Sequence, residues 1–190
     1  MKKTLIIYAH PYSKSFNHAI LERVKRVLKS QGKSYDLIDL YADDFDPRYS
    51  AAELALFRKG ETLDPLVVKY QKMLVKAGSI IVIAPIWWSD LPAILKGFFD
   101  KVMKMNFAYT VTPLGVRGLL THIKSILVIS TSTSPTWYLR LACGNAIEKV
   151  FLNSVAKQWG IKKRKWINCG RVNLVSDRIR QRFLSKIKSL

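Results

Sequence analysis

The chain is poor in acid, cysteine and histidine, and each shortage removes a class of function. Thirteen Asp and Glu stand against 32 Lys and Arg, so an acidic carrier surface is missing. Two cysteines, Cys143 and Cys169, cannot make a disulfide framework, and three scattered histidines offer no metal-ligand spacing, so no metal is expected. No apolar run approaches the ~18 residues that cross a bilayer, so no transmembrane segment is expected. The N-terminal MKKTLIIYAHP carries only six residues of apolar run, Leu5 to Ala9 with Thr4 at its edge, and no small-residue cleavage site follows. It is read as a first strand, and the protein as cytoplasmic. There is no G-x-G-x-x-G, which removes the usual dinucleotide fingerprint. With no repeat, low-complexity tract or linker, residues 1–190 read as a single domain.

What is abundant is positive charge, +19 in all, with eleven basic residues against one acid, Asp177, from Lys157 to Leu190. Such an excess attracts any polyanion. Yet the basic residues are interleaved with Ile, Trp, Phe and Leu on helical or strand spacing, and no nucleic-acid signature is present. The reading is a solvated basic face that helps to attract phosphate-bearing ligands, without specific nucleic-acid recognition.

The pattern alternates strand and helix. Ser79 to Ala84 is an unbroken, largely β-branched run, as a strand buried on both faces reads. Pro92 then opens a helix in which Ile94, Leu95, Phe98, Phe99 and Val102 recur at three- and four-residue spacing. Other strands are read at Thr4 to Ala9, Ser34 to Leu40, Ser125 to Ser130 and Lys165 to Asn168. Helices are read around Ile20 to Leu28, Ala51 to Arg58, from Pro65, from Tyr138 to Gln158 and from Asp177. Five strands, each followed by a helix, make an α/β doubly wound parallel sheet of the flavodoxin-like order 2-1-3-4-5, with helices on both faces.

In such a sheet ligands bind beyond the carboxyl ends of the central strands, and three loops meet there. The loop after the first strand runs from His10 through Ser13, Lys14, Ser15, Phe16 and Asn17 into a helix N-terminus. Free backbone N–H groups, the helix dipole and the hydroxyls suit a phosphate, with Lys14 and His10 as added charge. By itself, Ser15 or Asn17 could equally be an ordinary helix cap. The loop after Ala84 holds Pro85, Ile86, Trp87 and Trp88, and the two tryptophans are flat side chains suited to a flat ligand. The third carries Ser130, Thr131, Ser132, Thr133 and Ser134, a donor array for a ring's polar edge or a solvated turn. Convergence of the three favours a planar ligand with a phosphate tail, for which flavin is the candidate.

The same residues carry a resemblance. AHP followed by SFN (Ala9 to Pro11, Ser15 to Asn17), KGETLDPLVVKYQKML (Lys59 to Leu74), PIWWSDLPAILKGFFDKV (Pro85 to Val102) and FAYT (Phe107 to Thr110) are similar to the flavodoxin-like NAD(P)H:quinone oxidoreductases, over nearly the whole chain. The resemblance implies a flavin-dependent enzyme that passes hydride from NADH or NADPH to a quinone or similar flat acceptor. It implies FAD, with FMN as the alternative, and a homodimer whose sites lie at the subunit interface. By it His10, Ser15, Phe16 and Asn17 hold the phosphate and ribityl end, and Pro85, Ile86, Trp87 and Trp88 line the ring. Ser130 to Thr133 meet the ring's polar side, and Arg178 serves the adenine. Trp88, Phe107 and Tyr109 shape the substrate pocket, the last two reaching toward the partner's flavin, and Tyr138 is the catalytic candidate. Two departures stand out: the family's Thr-Thr-Gly-Gly is Ser130 to Thr133 here, and the histidine that accompanies the tyrosine falls near Gly144. A flavodoxin-type electron carrier and a flavin-binding regulatory subunit of a transporter are the competing readings.

Overall fold

A computed structural model describes residues 2–188. In chain order the strands are β1 (Lys3–Tyr8), β2 (Tyr35–Asp39), β3 (Ala77–Pro85), β4 (Tyr109–Thr112), β5 (Gly115–Gly118), β6 (Ser125–Thr131) and β7 (Lys163–Cys169). The helices are α1 (Phe16–Ser30), α2 (Ala51–Ala55), α3 (Pro65–Lys76), α4 (Ala93–Val102), α5 (Thr136–Leu141), α6 (Ala146–Ala156, wound as a π-helix) and α7 (Asp177–Lys186). The main sheet is five-stranded in the order β2-β1-β3-β6-β7, every neighbouring pair parallel. Numbered among themselves these strands run 2-1-3-4-5, the order expected.

The central strands are covered on both faces, which is why their sequence does not alternate. Leu5, Ile7, Ile80, Val82 and Val128 face one core with Leu74, Phe98 and Phe151 from α3, α4 and α6. Ile6, Tyr8, Ile81, Ile83 and Ile129 face the other, with Ile20, Leu21, Val24 and Leu28 of α1 and Ile187 at the end of α7. Among the described residues no helix is long and apolar enough to cross a membrane.

Two elements differ from the sequence reading. A small antiparallel hairpin, β4 with β5, lies outside the main sheet and was missed, because its four-residue strands are largely exposed and carry no buried run. The single helix expected from Tyr138 to Gln158 is two, α5 and α6. Gly144 and Asn145 sit between them at φ 72° and 53°. Left-handed residues end a right-handed helix, and the Asn145 side chain then caps the next one at the Glu148 N–H.

The segment from Tyr41 to Asp64 forms an arm clamped to the far end of α4. Phe45 stacks among Tyr70 and Phe98, with ring centroids at 5.8 and 6.0 Å. Lys101 donates to the Asp64 carboxylate (2.9 Å) and the Asp46 carbonyl (2.7 Å). Lys104, wholly buried, donates to Glu53 (2.8 Å) and to the Glu61 carbonyl (2.7 Å). Gly97 lets the arm lie flat on the helix, since a Cβ there would come within 2.3 Å of the Pro47 Cβ.

Candidate functional site

At the carboxyl ends of β1, β3 and β6 the loops enclose a crevice of about 760 Å³, the size of a small-molecule site. Its lining includes His10, Ser15, Phe16, Asn17, Pro85, Ile86, Trp87, Trp88, Thr131, Ser132 and Thr133. Two hydrogen bonds hold the three loops together. The Ile86 N–H donates to the Thr131 carbonyl (2.7 Å), and the Asn17 amide donates to the Thr131 hydroxyl (2.9 Å).

The first loop delivers α1's N-terminus to the crevice wall. Ser15 caps it, its hydroxyl accepting from the His18 N–H at 3.1 Å. Capping therefore uses Ser15, while Asn17 is freed for the crevice. The Asn17 Oδ1 is buried and has no hydrogen-bond partner within the chain. His10 accepts the Tyr12 N–H at Nδ1 (3.1 Å), which leaves its proton on Nε2. Burial lowers its pKa, which favours the neutral ring.

In the second loop Trp87 and Asp90 exchange backbone hydrogen bonds of 3.0 and 3.1 Å around a two-residue turn. Both turn residues are left-handed, Trp88 at φ 51° and Ser89 at 66°. That geometry belongs to Asn-Gly turns, and it is strained for a tryptophan. The turn throws the Trp88 ring into solvent at full exposure on the crevice rim. Trp87 lies deeper, its ring 6.3 Å from that of His10.

The third loop differs from a uniform row of donors. Ser130 is buried beneath it, donating to Asn168 (2.9 Å) and accepting from the Trp166 indole (2.8 Å), and it does not line the crevice. Ser132 donates to the Ser134 carbonyl (2.7 Å) and Thr131 serves Asn17, so two more hydroxyls are already used. Thr133 is exposed in the crevice lining. Lacking glycine, this loop is shaped by side chains of β7, Trp166 and Asn168.

Four other expected residues lie outside the crevice. Tyr138 is half exposed on α5, its ring 5.9 Å from Trp137; its successor Leu139 is the lining residue, because neighbours on a helix point about 100° apart. Phe107 packs against the core. Tyr109 lines a second, apolar cavity of about 430 Å³ with Tyr49, Phe99, Val150 and Phe151. Arg178 is exposed on α7 and does not line the crevice, whereas Arg180 donates to the carbonyl of the lining residue Val172 at 3.0 Å. Val172, Ser134 and Ser89 also line the crevice. Of these, Ser134 ended the hydroxyl run, and Val172 carried no signal, since only the fold brings the turn after β7 to β6. Among the described residues no group of His, Cys, Asp and Glu could hold a metal.

Comparisons with known proteins accord with this geometry. A family model described as flavodoxin-like fold matches residues 2–190. The chain is 28% identical over 181 residues to an uncharacterised NAD(P)H oxidoreductase of Haemophilus influenzae, covering 95% of this chain and 89% of that protein. It is 34% identical over 154 residues to the NAD(P)H dehydrogenase (quinone) 1 of Cavia porcellus, covering 73% of this chain but only 56% of that longer protein. Among solved structures, Smu.1420 of Streptococcus mutans superposes with a TM-score of 0.85 at 32% identity, covering 98% of this chain and 96% of the other. The NAD(P)H:quinone oxidoreductase of Methanothermobacter marburgensis gives 0.83 at 27%, covering 98% and 94%.

Proposed function

The chain belongs to the flavodoxin-like family that includes the NAD(P)H:quinone oxidoreductases, and from that premise we propose that it is a flavin-dependent enzyme reducing quinones or similar flat acceptors with NADH or NADPH. The observation that carries the reading is the crevice itself. A flat-walled cleft opens beside a helix N-terminus and holds one buried acceptor, Asn17 Oδ1, with no partner. Those groups fit a flavin: planar walls for the ring, an acceptor for a ribityl hydroxyl, and free N–H groups for a phosphate.

A bound flavin would supply the redox chemistry, hydride transfer from a nicotinamide to a flat acceptor. The chain's own part is positioning and electrostatics. The first turn of α1 receives the phosphate, and Asn17 orients the ribityl chain from a side chain already fixed by Thr131. His10 offers its Nε2 proton as a hydrogen bond. Thr133 offers its hydroxyl to the ring's polar edge. Trp87 forms a wall, and Trp88 stands at the rim, where a flat ligand could meet its ring. Tyr138 does not line the crevice and is given no part in this work.

FMN is the flavin we favour over the FAD expected from the sequence. Binding sites bury most of their ligand, and Arg178, the residue assigned to the adenine, is exposed and lines no part of the crevice. The functional unit is a homodimer of single-domain subunits. The apolar cavity containing Tyr109, beside exposed Leu54 and Val150, is the face a second copy would cover. A cytoplasmic location completes the reading.

The test is an absorption spectrum of the purified protein, mass analysis of the released cofactor, and NAD(P)H oxidation with a water-soluble quinone. A bound flavin and quinone-dependent turnover are expected. No yellow chromophore and no uptake of added FMN or FAD would overturn the reading. Full specific activity from a sedimenting monomer would overturn the dimer.

A further inference from the structure

The positive charge is concentrated where the fold joins the two ends of the chain. Residues 1–33 and 157–190 hold nineteen of the 32 Lys and Arg and two of the 13 acids, so nineteen cations less two acids give +17 of the total +19. Their helices, α1 and α7, lie side by side on one face of the sheet. The Phe16 and Phe183 rings are 6.1 Å apart, Arg23 donates to the Leu184 carbonyl, and Gln31 donates to the Lys188 carbonyl. Both acids on this face are already engaged, Glu22 by Lys25 and Asp177 by Arg180.

Arg26, Lys29, Arg178, Arg182 and Lys186 are exposed, and among the described residues none of them is in an ion pair. Arg178, Arg182 and Lys186 stand four residues apart in one line, a like-charge stripe about 12 Å long that weakens its own helix. The lysines on β7 have another explanation, since charged side chains keep an edge strand from pairing with other chains. No such need applies to α1 and α7. At the crevice end of the stripe, Leu174 and Ile179 are 74% and 48% exposed, two residues and more beyond the lining residue Val172.

We propose that the α1/α7 face docks on an anionic lipid bilayer, with Leu174 and Ile179 entering the interface and the Val172 wall of the crevice held next to the surface. Cations around a small apolar tip are what a peripheral contact with anionic lipid requires. A nucleic acid is less suited, because neither helix exposes an aromatic ring that could stack on a base. The face lies across the sheet from the apolar cavity assigned to the second subunit, so both can be used at once. If the oxidoreductase reading above holds, on which this clause alone rests, the acceptor is a lipid-borne quinone drawn from that surface.

The experiment is co-sedimentation of the purified holoprotein with vesicles of phosphatidylcholine containing about 30 mol% phosphatidylglycerol, and with pure phosphatidylcholine, in about 0.1 M salt. Binding to the anionic vesicles alone is expected. It should weaken at least ~tenfold in the double variant Arg26→Glu, Lys186→Glu, and again as salt rises toward ~0.5 M. Leu174→Ser should weaken it several-fold without changing the salt dependence. Equal binding to both vesicles, no binding to either, or an unaffected double variant would overturn the proposal. So would displacement of the protein from vesicles by a duplex oligonucleotide at equal phosphate, which would assign the face to nucleic acid. Turnover of a water-soluble quinone without vesicles is measured in parallel. Vesicle binding without turnover sinks the enzyme and keeps the docking, and the reverse result does the opposite.

Discussion

The two ends of α4 are built on opposite principles. At its far end, buried charge is matched almost atom for atom. Lys104 meets Glu53 and the Glu61 carbonyl, and Glu53 also accepts from the Thr62 hydroxyl and the Leu63 N–H. At its near end the crevice loops leave Asn17 Oδ1 unpartnered, hold Trp88 and Ser89 in left-handed turns, and expose a whole tryptophan. The first region uses its polar groups to hold the fold. The second keeps them, at a cost in stability, for something that is not part of the chain.

Breaking the clamp should have the largest effect. Glu53→Gln strands the wholly buried Lys104 ammonium, and removing one partner of such a pair costs about 3–5 kcal/mol. Urea unfolding should show that loss while the folded fraction binds flavin normally. A loss below ~1 kcal/mol would mean the contrast is misplaced. Phe98→Ala, in the fully buried ring cluster beside the clamp, should cost a similar ~3–5 kcal/mol.

Trp88→Gly should move stability the other way. Glycine accepts φ 51° without strain and the ring makes no core contact, so a gain of about 1 kcal/mol is expected, together with reduced flavin retention and turnover. Unchanged kinetics with a lowered melting temperature would make Trp88 a structural residue. Acid sharpens the comparison further. Burial pushes the Glu53 carboxyl up, but its bonds to Lys104, Leu63 and Thr62 outweigh that and hold it at about 2 against an ordinary 4.5. A depressed carboxyl stabilises the fold above its unfolded value, so stability should fall as pH drops from about 4.5 toward 2, and Glu53→Gln should flatten that fall.

The smallest change is expected from Asn17→Ala. It removes one hydrogen bond to Thr131 and one unpartnered acceptor together, so stability should shift by less than ~1 kcal/mol. Flavin affinity, measured by equilibrium dialysis, should still fall. Unaltered affinity would remove Asn17 from the site.

The alternation of buried runs and amphipathic helices was enough to determine the parallel sheet and the loops that form the crevice, and right-handed crossovers left few strand orders for it. Periodicity and burial are local consequences of which faces a segment must hide. Trp88 at the rim and Phe98 in the core were legible for the same reason, one in a loop and the other at helical spacing. Tertiary structure alone decided which hydroxyls of the third loop remain free, because Asn168 and Trp166, more than thirty residues away, take up Ser130 and Ser132. It decided that Leu139 and not Tyr138 lines the crevice, through the phase in which α5 docks on the sheet. It decided too that two basic termini become one face, since charge spacing along a chain says nothing about which helices share a side of a sheet until the strand order places them there.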